Sequence, residues 1–184
     1  VEFLEKCIGS KIEEDFTEFY QQINQSISER KFDETKNILL EFITNNPKET
    51  KAINLYLECL IELNQYDEVE SFIESLEKET QDKDDIKQII KKIEIIKKNQ
   101  SGPNIEELIN KLNENPKDIN LILEVADKYF SMQNYEDSLD LLLKNYPNNK
   151  DKIKEKMVEF FEVLGNSNDY TIQYRKKLSQ VMFA

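Results

Sequence analysis

Apolar residues return along this chain in the three-then-four rhythm of a single helix face. Phe16, Phe19, Tyr20, Ile23 and Ile27 form one such stripe, which predicts a helix at 15–30. Ile38, Leu39, Phe42 and Ile43 form the next. They predict an inward face on a helix that Asp33 caps and Pro47 stops. Ile53, Tyr56, Leu57, Leu60 and Ile61 place a helix at 48–64, and Asp67 opens another carrying Val69, Phe72, Ile73 and Leu76. Residues 80–85 read as a polar connector. Beyond them Ile86, Ile89, Ile90, Ile93 and Ile96 run in register, with Lys87, Lys91, Lys92, Lys97 and Lys98 on a predicted solvent face. Helices at about 104–114, 118–132, 135–145, 150–164 and 168–183 complete the series, and residues 1–9 read as a short amphipathic helix on Phe3, Leu4 and Ile8 that Gly9 ends. No stretch keeps the two-residue alternation of a strand, so the pattern predicts an all-α chain.

The turns between these helices repeat. Arg30-Lys31-Phe32-Asp33 returns as Asn64-Gln65-Tyr66-Asp67, 34 positions later, and as Gln133-Asn134-Tyr135-Glu136, another 69 on. Breaks expected near 100 and 169 fall at Gly102-Pro103 and at Gly165-Asn166-Ser167-Asn168. Asn46-Pro47-Lys48 and Asn115-Pro116-Lys117 are near copies, again 69 apart. A period near 34 with two helices per period predicts a right-handed solenoid of about five stacked helical hairpins. Each hairpin needs its neighbours to bury its apolar face, so the stripe residues are expected in the core. Ala126, Tyr129 and Ser138 are expected where two helices approach closely, since bulkier side chains would push them apart. Gly102-Pro103 is the sharpest break and separates 10–101 from 102–184.

Composition narrows the function. Residues 1–80 carry 19 acidic and 8 basic side chains, and 81–184 carry 18 and 17, within a formal net charge of −12. An acidic first half argues against a nucleic-acid surface. No apolar run is long enough for a membrane span. The chain has no His, which removes imidazole bases and His metal sites. It has no Gly-rich phosphate loop and no EF-hand spacing. Its acidic pairs, such as Glu13-Glu14-Asp15 and Asp84-Asp85, suit caps and solvent. The expectation is a non-enzyme without catalytic, cofactor or metal residues. Cys7 and Cys59 lie 52 apart, which is no redox or metal spacing, and Cys59 reads as a core residue. Unpaired thiols without a targeting signal point to the cytoplasm. The first residue is Val, which implies a processed product or a piece of something longer.

The helical hairpins resemble tetratricopeptide repeats. The last 80 residues carry a narrower likeness: Gly102-Pro103-Asn104-Ile105-Glu106, Asn115-Pro116-Lys117-Asp118, Asn134-Tyr135-Glu136-Asp137-Ser138-Leu139, Phe160-Phe161-Glu162-Val163-Leu164-Gly165, and Tyr174-Arg175-Lys176-Lys177-Leu178 running on through Ser179-Gln180-Val181-Met182-Phe183. This series resembles the C-terminal region of the bacterial thioredoxin-like co-chaperones called chaperedoxins. The resemblance implies that residues 1–9 are the tail of an upstream thioredoxin domain. That domain and any Cys-x-x-Cys site are missing here, so no redox activity carries over. It also implies a module that holds unfolded protein clients and passes them to the chaperonin and the Hsp70 system, through exposed apolar patches. Tyr174, Leu178, Val181 and Met182 share a stripe that Phe183 extends, with Arg175 beside it. These six are the candidate partner-binding residues, on a helix that otherwise caps the solenoid. A generic peptide adaptor or a scaffold arm is the competing reading. The carboxylate clamp of chaperone adaptors needs a Lys four residues before an Asn, but Asn24 follows Tyr20 and Asn54 follows Thr50.

Overall fold

The computed structural model describes residues 16–100 and 102–183. The expectations for 1–9, including Cys7, lie outside the described residues. Within them the chain is all α-helix apart from turns, and it divides into two compact units, one ending at Gln65 and the other beginning at Tyr66.

The first unit contains α1 (Thr17–Ser28), α2 (Phe32–Asn45) and α3 (Thr50–Glu62). Helix α1 packs on α2 and α2 on α3. Tyr20 and Ile23 from α1 and Leu39 and Ile43 from α2 are buried, as are Ala52, Ile53, Leu57 and Leu60 from α3. Aromatic rings close its edge: Phe19 stacks on Phe42 with centroids 4.0 Å apart, and Phe16 meets the same ring edge-on at 4.9 Å. Ile38 is 49% exposed and does not join this core, against the expectation that it faces inward. It lies next to Leu39 in sequence, about 100° away around the helix, and Leu39 takes the buried direction. Asp33 is not a cap either. The N-cap of α2 is Lys31, without a side-chain bond, and Asp33 sits in the first turn, where its charge complements the helix dipole.

The second unit contains α4 (Tyr66–Ser75), α5 (Lys78–Gln81), α6 (Asp84–Gln100), α7 (Ile105–Glu114), α8 (Ile119–Ser131) and α9 (Tyr135–Asn145). A 3₁₀ turn at Tyr146–Asn148 leads into α10 (Lys150–Leu164) and α11 (Asp169–Met182). The expected connector at 80–85 thus begins as the short helix α5, and Gly102-Pro103 separates α6 from α7 inside this unit. Helices α8 and α9 pack most extensively, α7 lies on α8, and α9 touches α10 and α11. Ala126 and Ser138 are fully buried, and the Ser138 hydroxyl donates to the Ala126 carbonyl at 2.8 Å. The small residues expected at a close approach are therefore the point where α8 and α9 meet. Phe130 stacks on Phe160 at 4.0 Å, joining α8 to α10. Helix α6 lies against both α8 and α10.

The repeated turn is one backbone geometry. Arg30, Asn64 and Gln133 all adopt the left-handed region, with φ of 58°, 58° and 62°. The following N–H groups of Lys31, Gln65 and Asn134 bond back to the carbonyls of Ser26, Leu60 and Tyr129. Those of Arg30, Asn64 and Gln133 bond to Ile27, Ile61 and Phe130. Each is a Schellman helix end, built without glycine at the left-handed residue. The other repeated turn is equally constant. Asn46 and Asn115 share φ −130° with ψ of 64° and 65°, and each accepts the N–H three residues on. The break near 165 differs, since Gly165 takes φ 86° and the next helix is capped by Asn168.

Candidate functional site

Helix α11 carries all but one of the candidate partner residues, and Phe183 follows as its C-cap. Asn168 opens it, its side chain accepting the Tyr170 N–H at 2.9 Å. From there the helix has two unlike faces. The inner face is Thr171, Tyr174 and Leu178, all buried. Tyr174 is fully enclosed, yet its hydroxyl reaches the rim and donates to Asp140 Oδ1 of α9 at 2.6 Å. Lys177 Nζ sits 4.0 Å over the Tyr174 ring and 3.7 Å from the same carboxylate. Burial, and then the bond to Asp140, holds the Tyr174 phenol protonated well above the ordinary tyrosine range.

The stripe expected to meet a partner is therefore split by depth. Tyr174 and Leu178 belong to the core formed with Leu139, Met157 and Phe160, and this corrects the expectation for those two. Helix α11 packs on α9 and α10, and the largest residues of its stripe fill the hollow between them. Val181 and Met182 are half-buried against the same core. Phe183 is 86% exposed, and Arg175 is also exposed. Arg175 donates to Asn166 Oδ1 at 2.8 Å and lies 5.5 Å over the buried Phe161 ring. Sequence reasoning missed Ile172, which is 58% exposed. Its signal was the spacing to Phe183: eleven residues are three helical turns, which puts both on the outer side.

Lys87, Lys91 and Lys98 of the α6 stripe are exposed as expected, Lys92 and Lys97 are partly covered, and most of the stripe is answered by other side chains. Lys97 lies 2.6 Å from Glu70 and 3.0 Å from Asp67, and these bonds raise its pKa. Lys91 lies 3.3 Å from Glu162, Lys87 lies 3.7 Å from Asp82, and Lys92 sits 5.6 Å over the Tyr135 ring. Between α8 and α10, Lys156 bridges Asp127 at 3.1 Å and Glu159 at 2.7 Å. Burial raises the Asp127 pKa despite that partner, while the two carboxylates outweigh burial and raise Lys156. This is a structural strut between two helices.

Little here suits reaction chemistry. Cys59 is buried, and desolvation, helped by Glu58 and Glu62, pushes its thiol up to about 11, away from the thiolate a nucleophile needs. Among the described residues no group of three or more His, Cys, Asp or Glu could hold a metal ion. No helix of the described residues is long and apolar enough to cross a membrane.

Comparison with known proteins gives three results. Residues 98–183, from the last turn of α6 through α11, match the model of a tetratricopeptide repeat family. The chain is similar to the crystal structure of a domain of protein VP0806, of unknown function, from Vibrio parahaemolyticus. That likeness has a TM-score of 0.43 and 20% identity, over 88% of this chain and 96% of that one. A comparison with curated proteins finds no match.

Proposed function

We propose that this chain is a protein-binding co-chaperone module: the end of α11 docks on a chaperonin that works with the Hsp70 system, and the exposed helix faces hold unfolded clients. A tetratricopeptide-type repeat is an adaptor or scaffold for protein partners, so binding rather than catalysis is the coarse conclusion from the fold. The finer reading is carried by one observation. Phe183 stands 86% exposed at the end of a helix whose other face is committed to the core. Val181 and Met182, half-buried, give that ring an apolar rim. An aromatic side chain with an apolar rim is the kind of anchor on which protein interfaces concentrate their energy. The exposed Arg175 and Lys176 on the same helix suit an acidic partner surface. The resemblance to chaperedoxins supplies the partner class, and with it a cytoplasmic setting. Client holding would fall to large apolar residues left exposed, Ile38 and Leu40 in the first unit and Met132, Val158 and Ile172 in the second.

The test is binding to purified chaperonin by biolayer interferometry, comparing the chain with Phe183→Asp. Deleting the helix would be a poor control, since it removes Tyr174 and Leu178 from the core. The substitution is expected to weaken binding by about tenfold or more while leaving the thermal midpoint unchanged. Equal binding by both chains would move the contact off α11. No binding by either would leave a generic peptide adaptor.

A further inference from the structure

The chain carries a net charge of −12, yet one cleft in its second unit is lined by three cations. Lys87, Gln88 and Lys91 of α6, the almost fully buried Phe161 of α10, and Asn166 and Arg175 line it. The volume is about 290 Å³, enough for one or two side chains. Asp84 and Glu162 also line it. Lys91 is paired with Glu162 and Lys87 with Asp82, but all four side chains are more than half exposed. Such surface pairs contribute little and exchange readily for another carboxylate.

Arg175 is different. Its guanidinium is held in place twice, by the bond to Asn166 and by lying over the Phe161 ring. A guanidinium has five N–H donors in a planar fork, and Asn166 accepts from one of them. The turn that positions Asn166 depends on Gly165, whose φ is 86°. A Cβ there would come within 3.0 Å of Gln88 Oε1, across the cleft. A guanidinium pre-oriented by Asn166 and the ring beneath it, flanked by two lysines and two amide side chains, fits a carboxylate.

We propose that this cleft binds an acidic segment of a partner protein, with Arg175 taking a Glu or Asp side chain. The proposal rests on the reading of the chain as a protein-binding module and adds a second contact, separate from Phe183. The chain's overall negative charge would oppose an acidic ligand at long range. At physiological salt the screening length is about 8 Å, so the local cations decide.

The experiment is an NMR titration of the isotope-labelled chain with an acetylated, amidated hexapeptide of glutamates around a central leucine. A twin peptide carrying glutamine at each glutamate position is the control. The side-chain signals of Asn166, Gln88 and Arg175 are expected to move with the acidic peptide and not with its twin. Arg175→Gln should weaken the titration about fivefold, and added salt should weaken it further. Lys87→Gln, at an exposed position, gives a second variant with the same direction and a smaller effect. Equal shifts from both peptides, shifts confined to other surfaces, or unchanged affinity in Arg175→Gln would overturn the proposal. Chaperonin binding lost in Phe183→Asp while the peptide still shifts these signals would locate one contact at each place. Chaperonin binding without any peptide response would sink the cleft alone and leave the α11 reading standing.

Discussion

The hairpin of α1 and α2 and the hairpin of α8 and α9 turn in the same way and close in different ways. Arg30 and Gln133 occupy the same left-handed position, with the same pair of hydrogen bonds behind it. Counting from those turns, Ile23 and Thr35 in the first hairpin stand where Ala126 and Ser138 stand in the second. The second hairpin closes on two small residues and a buried hydroxyl-to-carbonyl bond. The first has a bulkier pair there. It is held by a hydroxyl contact of 2.7 Å between Ser26 and Thr35 and by rings at its rim. Capping follows the division only in part. Asn104, Asp118, Asn149 and Asn168 accept first-turn N–H groups in the second unit, but α5 and α9 there start without a side-chain cap, as α1, α2 and α3 do. The turn is thus the constant of the repeat and the packing between helices is what has drifted. This fits a family model that matches 98–183 rather than the earlier residues.

The largest expected effect separates the inside of α11 from its end. Tyr174→Ala removes a fully buried ring and should cost about 3–5 kcal/mol in urea unfolding, whereas Phe183→Ala should stay within about 0.5 kcal/mol. Similar costs for both would mean that Phe183 is packed. Next comes the hairpin contrast. Ser138→Leu forces a large side chain against Ala126 and loses the hydroxyl bond to its carbonyl, for a loss of about 2–3 kcal/mol. Thr35→Val keeps the shape and loses only hydroxyl bonds, about 1 kcal/mol. If the two cost the same, the close approach at Ala126 is not special.

The positions of three turns were legible in the sequence, because an aromatic-acidic pair follows each left-handed residue, at Phe32-Asp33, Tyr66-Asp67 and Tyr135-Glu136; their capping was not. Nor was depth. Leu39 and Ile38 are both apolar neighbours on α2, and only tertiary packing decides that one is enclosed and the other half in water. The same holds for α11, where a single apolar stripe contains both core residues and a rim. The lysines of α6 do form an exposed row, but their partners could not be read locally, since the carboxylates that answer Lys91 and Lys97, Glu162, Asp67 and Glu70, arrive from other helices. The cleft at Arg175 joins residues 84–91 to residues 161–175, two stretches far apart in sequence, and nothing in the local pattern announces it.

A smaller effect is tied to pH. The folded Tyr174 phenol titrates above the unfolded value of about 10. Its contribution is therefore complete below pH 10 and is lost as pH rises through the folded pKa. Lys156, also raised, acts in the same direction. Tyr174→Phe should give up about 1 kcal/mol at pH 7 and show a shallower alkaline loss than the parent chain, as read from thermal midpoints between pH 8 and 11. A steeper loss in the variant would contradict the assignment. The smallest effect is a gain. Arg30→Gly and Gln133→Gly should each stabilise by about 0.5–1 kcal/mol, since glycine adopts φ near 60° without a Cβ penalty. Asn64→Gly should change little, because Asn tolerates that region. Destabilisation by either of the first two would show that their side chains, and not the turn, matter there.

The account stands most directly on where a partner lands. Hydrogen–deuterium exchange of the chain, alone and with purified chaperonin, reads this at the level of segments. Added protection in the last turn of α11, around 178–183, with little change over 16–65, is the predicted result. Protection confined to the first unit, or none at any segment under conditions where the two proteins co-elute, would contradict it.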